Sequence, residues 1–389
     1  MKQENTPQKS VYFHNLDGLR FIGSLIIIIF HIENLKAHEN RPFISIIRYY
    51  NPIGNLDVNL FFVLSGFLIT YLLLKEKKEN GIINLKAYYA RRTLRIWPLY
   101  YLILILGFFV LPLLDTYLGT TYSANIYKHF WAYFIGCFLF LSPIVGGASG
   151  LPMTIVPIWS VGVEEVFYLC WPLFIRKTKK YLPFLIGVVL FVVIMRNGVY
   201  LLNYFFDIHD RFGKTFKAIR VVMLQYRISC MAIGGIGAYL VAFEKKNILS
   251  FLFRKDFQWI VYLMTIGLLL FKVGVRPLTK DYTESTEFYS VLFAIIIMNL
   301  AVNPNSIIRL DFKWMTYLGK VSYGLYLYHP IMRIFSLELT EHLFGKEISG
   351  WQMDVYLYFF TLSFTIIISI LSYEFFEKKF LNLKKRFLS

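Results

Sequence analysis

Apolar positions fall in long blocks along this chain, not in the short periods of a soluble amphipathic helix or strand. Residues 96–114 and 355–373 are each runs of 19 without a charge, and 58–74 is a third clean run. A membrane-crossing helix needs roughly 20 predominantly apolar residues. Shorter or interrupted candidates lie at 21–32, 129–145, 158–175, 181–195, 221–243, 257–271, 288–302 and 314–335. The predicted fold is all-α, a polytopic transmembrane helical bundle. The longest polar stretches are 33–56, 202–220 and 272–287, and neither a soluble domain nor a repeat is visible. The chain reads as one membrane domain over 1–389, with an N-terminal tail at 1–15 and a basic C-terminal tail at 377–389.

Composition agrees. Of 389 residues, 57% are hydrophobic and 17% charged, against about 25% charged in ordinary soluble domains. Mean hydropathy is +0.54. A soluble globule of this size could not hide that much apolar surface. The net charge of +17 would suggest nucleic acid in a soluble protein. Here the cations cluster between apolar runs, as the positive-inside rule expects, so the partner is the membrane lipid and no nucleic acid is implied. Lys75, Lys77, Lys78, Lys86, Arg91, Arg92 and Arg95 place one connection in the cytoplasm. Arg176–Lys180, the basic residues of 245–255 and the C-terminal tail follow. The connection at 202–220 is also basic and runs against the bias.

With 96–114 running outward and 158–175 inward, 129–145 cannot cross normally. Parity makes it a re-entrant or tucked element and leaves about ten crossings with both termini cytoplasmic, in the inner (cytoplasmic) membrane. The first apolar stretch follows Asp17 and Arg20 and has no small-residue cleavage site behind it, so it reads as an uncleaved first helix. Cys137, Cys170 and Cys230 lie in apolar runs without metal-ligand spacing and read as small core residues.

Charged groups at membrane depth are costly and mark pathways or sites. Arg20 and His31 are eleven positions apart, which places them on one helix face about 16 Å apart along the axis. An interfacial Arg and a capping His would explain them equally. Glu33 is near enough in sequence to tune His31 or to face outer water. Arg92 and Arg95 share a face at the cytoplasmic entry to 96–114. They either anchor the helix or clamp phosphate, for which guanidinium forks are suited. Glu164 and Glu165 stand in an aromatic helix and point about 100° apart, so they have different partners. Such a carboxylate suits a general base or proton acceptor. Ser322, Tyr326 and His329 follow i, i+4, i+7 spacing and form a polar stripe, for chemistry or for interhelical hydrogen bonds. Pro330 cannot donate to the carbonyl of Tyr326. Arg227 needs an anion, and the small residues Ala232, Gly234, Gly235, Gly237 and Ala238 predict close helix packing.

Taken in order, these segments resemble the acyltransferase-3 family of integral membrane acyltransferases. The matching motifs are LDGLRFIGSLIIIIFH at 16–31, NLFFVLSGFLIT at 59–70 and RRTLRIWPLYY at 91–101. WSVGVEEVFYLCWPL at 159–173, YRISCMAIGG at 226–235 and VSYGLYLYHP at 321–330 complete the set. The chain departs from the family pattern where an acidic residue usually precedes LFFVLSGF. Asn59 stands there, with Asp57 two positions upstream as a substitute carboxylate. Gly162 stands where Ser is frequent, Val166 where Gln is, and Ser229 where an acidic residue is common.

The resemblance implies transfer of an acyl group, usually acetyl, from cytoplasmic acyl-CoA to a hydroxyl of an extracytoplasmic or lipid-linked glycan. It implies no fused extracytoplasmic hydrolase-like domain, since the chain ends soon after its last helix. In that scheme Arg20, Arg92 and Arg95 hold the CoA phosphates. His31 is base or acyl carrier, and Glu164 or Glu165 orients it or relays its proton. Asp57, Ser65, Arg227, Ser322, Tyr323, Tyr326 and His329 serve substrate binding. No zincin, P-loop or dinucleotide motif is present, so no metal is expected. The rival class is a transporter or flippase of a lipid-linked glycan or small solute, with the same charges lining its path. No paired broken helices in matching halves support it.

Overall fold

The computed structural model describes residues 12–39, 51–118, 129–149, 151–206, 226–271, 286–345, 348 and 350–383. Asp57 belongs to a described helix, but its side chain lies outside the described set, as do the basic residues of 202–220. The described residues are helical and contain no strand. The helices are α1 (His14–His38), α2 (Asn51–Asn80), α3 (Leu85–Ile105), α4 (Phe130–Phe138), α5 (Ser142–Ser149), α6 (Ile158–Lys177) and α7 (Tyr181–Phe206). They continue as α8 (Ile228–Ala242), α9 (Lys246–Leu252), α10 (Lys255–Phe271), α11 (Thr286–Val302), α12 (Lys313–Lys320), α13 (Ser322–Phe344) and α14 (Gly350–Ser372). α3 runs on through a π turn at Leu106–Val110 into Leu111–Leu118, and α14 through a π turn at Tyr373–Glu377 into Lys378–Leu383.

Six described helices are long and apolar enough to cross a membrane. A seventh appears if α8 and α9, bent by 114°, are counted as one span. The sequence expectation of about ten also counted α10, α11 and α13. The first two have 17 residues each, and α13 carries Arg333, Glu338 and Glu341 along its length. α7 shows how the apolar surface is used: its window Tyr181–Gly198 is apolar yet only 6% buried, the mark of a helix facing lipid. Cys137 and Cys230 are buried, but Cys170 is exposed. Reading all three cysteines as core residues is therefore corrected for Cys170, which points from α6 to the outer surface among Leu169, Leu173 and Phe174.

Local chemistry sets the turn between α2 and α3. Gly81 takes φ +74, a left-handed conformation that favours glycine, and its N–H returns to the Lys77 carbonyl at 2.9 Å. Asn84 then caps α3 by accepting from the Ala87 N–H at 3.0 Å. The segment 129–145 is two short helices folded on each other. α4 and α5 meet where Gly136 leaves room for Val145, and Phe140 at φ 60 makes the bend. Tyr100 and Tyr101 of α3 donate to the Cys137 and Phe138 carbonyls at 2.6 and 3.2 Å, which ties this hairpin to the bundle.

The small-residue stretch of α8 does pack closely. A Cβ at Gly234 would meet the Val63 carbonyl oxygen at 2.1 Å, and one at Gly66 the Met231 oxygen at 2.0 Å. The backbones of α2 and α8 therefore touch, and neither obstacle is a side chain that can swing away. Gly234→Ala is expected to destabilise the protein by about 1–3 kcal/mol or more through overpacking. Gly267→Ala, with open space around its Cβ, should be neutral. Thermal melting in detergent checks the pair. Equal melting temperatures would show that the α2–α8 seam can open without cost.

Candidate active site

Two connected cavities enter the bundle from the end where α1 begins. The outer one, about 310 Å³, is bounded by Tyr12, Asp17, Arg20, Arg92, Arg95, Lys320, Tyr373 and Glu377 with apolar neighbours. The inner one, about 110 Å³, shares Arg20, Leu68, Arg92, Arg95 and Tyr323 and continues to Ser65, Ser160, Glu164, Tyr168, Ser322 and Tyr326. The predicted arginines thus converge, although Arg20 comes from α1 and the other two from α3. Arg20 is paired with Asp17 at 2.6 Å. The Arg92 guanidinium lies 5.6 Å from the Tyr168 ring and 6.0 Å from Tyr88, a cation–π setting on the side of Glu164 and Glu165. Arg95 is exposed to the cavity.

The carboxylate pair diverges as helical geometry requires. Tyr168 donates to Ser65 Oγ at 2.8 Å, and Ser65 donates to Glu164 Oε1 at 2.7 Å, so Glu164 is held at the cavity wall. Glu165 turns away and accepts from Trp97 Nε1 at 3.0 Å. Its Oε1 is buried with no hydrogen-bond partner. Neither carboxylate is the hydrogen-bond partner of His31.

That partner is His329. His31 Nδ1 and His329 Nε2 lie 2.8 Å apart, and His329 Nδ1 lies 2.7 Å from the Tyr326 carbonyl oxygen. The carbonyl can only accept, so His329 Nδ1 carries the proton. In neutral His329 this leaves Nε2 as an acceptor. His31 must then donate from Nδ1, and its lone pair stands on Nε2. Pro330 makes the chain of bonds possible, because it has no N–H to offer the Tyr326 carbonyl four residues earlier. His329 is fully buried and His31 half-buried.

The inner cavity stops at Tyr326, whose hydroxyl is 2.7 Å from Ser160 Oγ. Ser160 itself donates to the Pro157 carbonyl at 3.1 Å, so Tyr326 is the donor between them. The Tyr326 and His329 rings are 5.9 Å apart, which places the histidine pair directly behind the cavity's end. Tyr323 donates to the Ile96 carbonyl at 3.2 Å and joins α13 to α3.

Arg333 was not singled out in the sequence, yet it sits one turn beyond His329 on the same stripe. It is buried and donates to the His31 carbonyl at 2.7 Å and towards Met153 O at 3.5 Å. Its signal was visible, since it extends the Ser322–Tyr326–His329 spacing by one helical step. Glu33 neither tunes His31 nor faces water. It is buried and accepts from Lys36 at 2.9 Å and Tyr358 at 2.7 Å, and Lys36 also pairs with Asp354.

Arg227 belongs to a second polar cluster, away from the cavities. It donates to Asn59 Oδ1 at 2.5 Å. Beside it Ser229 donates to Glu287 Oε1 at 2.8 Å, and Arg196 to Glu287 Oε2 at 2.7 Å. Glu287 of α11 thus sets a carboxylate against the Ser229 hydroxyl. At Gly162 a Cβ would meet Ser142 Oγ at 2.4 Å, so a serine hydroxyl of α5 lies against this glycine. Among the described residues no group of His, Cys, Asp and Glu could hold a metal ion.

The fold and the lined cavities define an integral membrane helical bundle with a cationic entrance and a hydrogen-bonded histidine pair. The chain belongs to the acyltransferase-3 family: its family description, "Acyltransferase domain", matches residues 13–374. It is 29% identical over 387 residues to "Putative O-acetyltransferase SACOL0978" of Staphylococcus aureus (strain COL), covering 96% of this chain and 58% of that protein. It is 25% identical over 388 residues to "Peptidoglycan O-acetyltransferase OatA" of Listeria monocytogenes, covering 94% and 55%. It is 27% identical over 379 residues to "O-acetyltransferase OatA" of Staphylococcus aureus (strain NCTC 8325), covering 94% and 57%. The chain therefore spans little more than half the length of the curated relatives it matches. No solved structure matches it significantly.

Proposed function

We propose that this protein is a membrane O-acetyltransferase. It would take the acetyl group of cytoplasmic acetyl-CoA and deliver it to a hydroxyl of an extracytoplasmic or lipid-linked glycan. One observation carries the reading: a cavity that begins at three arginines ends at Tyr326, directly before His31 and His329. The relatives named for O-acetyl transfer, one of them to peptidoglycan, support the glycan acceptor. The whole chain acts as one membrane domain, with both termini and the arginine mouth in the cytoplasm.

The geometry divides the work. Arg20, Arg92 and Arg95 bind the donor's phosphates where water is thinned, and charge interactions there are stronger than in bulk. The pantetheine arm threads the inner cavity and brings the thioester to Tyr326. Displacing the Tyr326 side chain from Ser160 would open the last step to His31. His31 Nε2 takes the proton of the acceptor hydroxyl as that oxygen attacks the thioester carbonyl, or attacks it first and carries the acetyl group. In either route a C–O bond to the acceptor replaces the C–S bond. In the first route His31 Nε2 hands that proton to the leaving thiolate. In the second the thiolate departs as the acetyl–Nε2 bond forms, and when the acceptor oxygen takes the acetyl group its proton is left on the vacated Nε2 and passes to the thiolate. Ser65 and Glu164 line the arm's path.

The test is reconstitution in oriented proteoliposomes, with acetyl-labelled CoA confined to the arginine side and an impermeant oligosaccharide acceptor opposite. Labelled acceptor across the membrane is expected. Product only when both substrates share the arginine side would reduce the protein to a one-sided enzyme, and no CoA release at all would remove the enzyme reading. In the same assay Arg92→Gln/Arg95→Gln should raise the KM for acetyl-CoA by tenfold or more. The remaining binding should lose most of its salt sensitivity. An unchanged KM would return both arginines to helix anchoring.

A further inference from the structure

The outer cavity holds a carboxylate that phosphate binding cannot use. Glu377 is 7% exposed and lines the outer cavity but not the inner one. It closes the π turn Tyr373–Glu377, a geometry that is uncommon in helices and frequent at functional sites. Tyr373, Glu377 and Leu381 line the cavity at four-residue steps. Tyr328 donates to Ser372 Oγ at 3.0 Å, and Ser372 donates to Glu377 Oε1 at 3.3 Å. No other hydrogen bond to this carboxylate is present among the described residues. Ionised beside the Arg95 guanidinium, it is acceptor-only, and what meets it in that state must bring an N–H or O–H.

The rest of the chamber narrows the choice. The thioester arm must pass inward beyond Arg92 and Arg95, so the nucleoside end of the donor stays outside them. There it finds Tyr12, whose ring carries the Lys320 ammonium 5.8 Å from its centroid, and the apolar side chains of Leu72 and Leu381. Phosphates take the cations, a flat ring takes the apolar walls, and the carboxylate takes an amine.

We propose that Glu377 reads the nucleobase of the donor by accepting a hydrogen bond from the exocyclic amine of adenine. This rests on the acetyl-CoA reading and makes Glu377 a specificity-determining residue of the donor site. A donor whose 6-amino group is replaced by oxygen would set a carbonyl against the carboxylate and leave both without a proton between them.

Binding to the full chain in detergent tests it without any acceptor. CoA and its hypoxanthine counterpart are titrated calorimetrically into wild type and Glu377→Gln. Wild type should bind CoA at least tenfold more tightly than the hypoxanthine form. Glu377→Gln should bind the two within about twofold of each other, because an amide can present either its oxygen or its NH₂. Equal affinities in wild type would overturn the proposal while leaving the donor reading intact. So would a Glu377→Gln variant that gains affinity for both ligands and keeps the preference, since the carboxylate would then be a counter-charge to the arginines. Failure of wild type to bind CoA at all would remove the donor reading as well. Should the variant fold poorly, the wild-type preference and a weakened preference in Glu377→Asp decide the matter.

Discussion

Replacing His31 with alanine is expected to lower acetyl transfer by about 10²–10⁴-fold, the range for loss of a positioned general base. His31 is the one member of the histidine pair whose free ring nitrogen carries a lone pair, because its Nδ1 is committed to His329. CoA affinity should stay near wild type, since the arginine mouth is built from other residues. Stability should fall by no more than about 1–3 kcal/mol, the cost of leaving His329 Nε2 without its donor, for the Arg333 bond goes to the His31 carbonyl and not to its ring. Initial rates of CoA release with acceptor, together with calorimetric CoA binding, check the split. A variant that keeps more than about a tenth of the rate would remove His31 from the chemistry.

Much of this arrangement is legible in the sequence. Spacing alone put Arg20 on the face of His31 and Ser322 on the face of Tyr326 and His329. The missing N–H of Pro330 pointed to a free carbonyl at Tyr326, and that carbonyl turns out to fix the tautomer of His329. Small residues at 232–238 foretold a backbone contact, which α8 makes with α2. Parity set 129–145 apart from the ordinary crossings, and in the structure the segment is two short helices joined by a bend at Phe140.

What sequence could not give was partnership across helices. Glu164 and Glu165 were natural partners for His31, because a carboxylate commonly orients an imidazole. Only the packing of α1 against α13 shows that a second imidazole holds that place. Glu33 looked available for the same reason, yet Lys36, Tyr358 and Asp354 enclose it. Ser229 and Gly162 stood out in the sequence only as departures from the family pattern. Yet Ser229 meets the Glu287 carboxylate, and the Ser142 hydroxyl lies against Gly162. Asn59 likewise meets Arg227 as an amide. A linear motif records which residue type stands at a position, whereas the chemistry depends on which atom arrives there.

The histidine pair gives the second large effect. His329→Leu removes the acceptor of His31 Nδ1–H and leaves the Tyr326 carbonyl without its buried donor. His31 is then free to place its proton on either nitrogen and to rotate. The rate constant for transfer should fall on the order of 10²-fold or more, as when a triad loses the group that sets its histidine tautomer. The KM for acetyl-CoA should hold, because His329 lies behind Tyr326 and does not line the donor cavities. His329→Gln separates positioning from packing. Its amide can donate to the Tyr326 carbonyl and accept from His31, so it should recover part of the loss that leucine does not. Nitrogen-15 spectra of labelled histidine would show the cause directly. Wild type should give His31 as the Nδ1–H tautomer, His329→Leu a mixture, and His329→Gln a return towards Nδ1–H. Leucine and glutamine variants with equal rates and unchanged His31 spectra would mean that the tautomer is set elsewhere. His329 would then be a packing residue of α13.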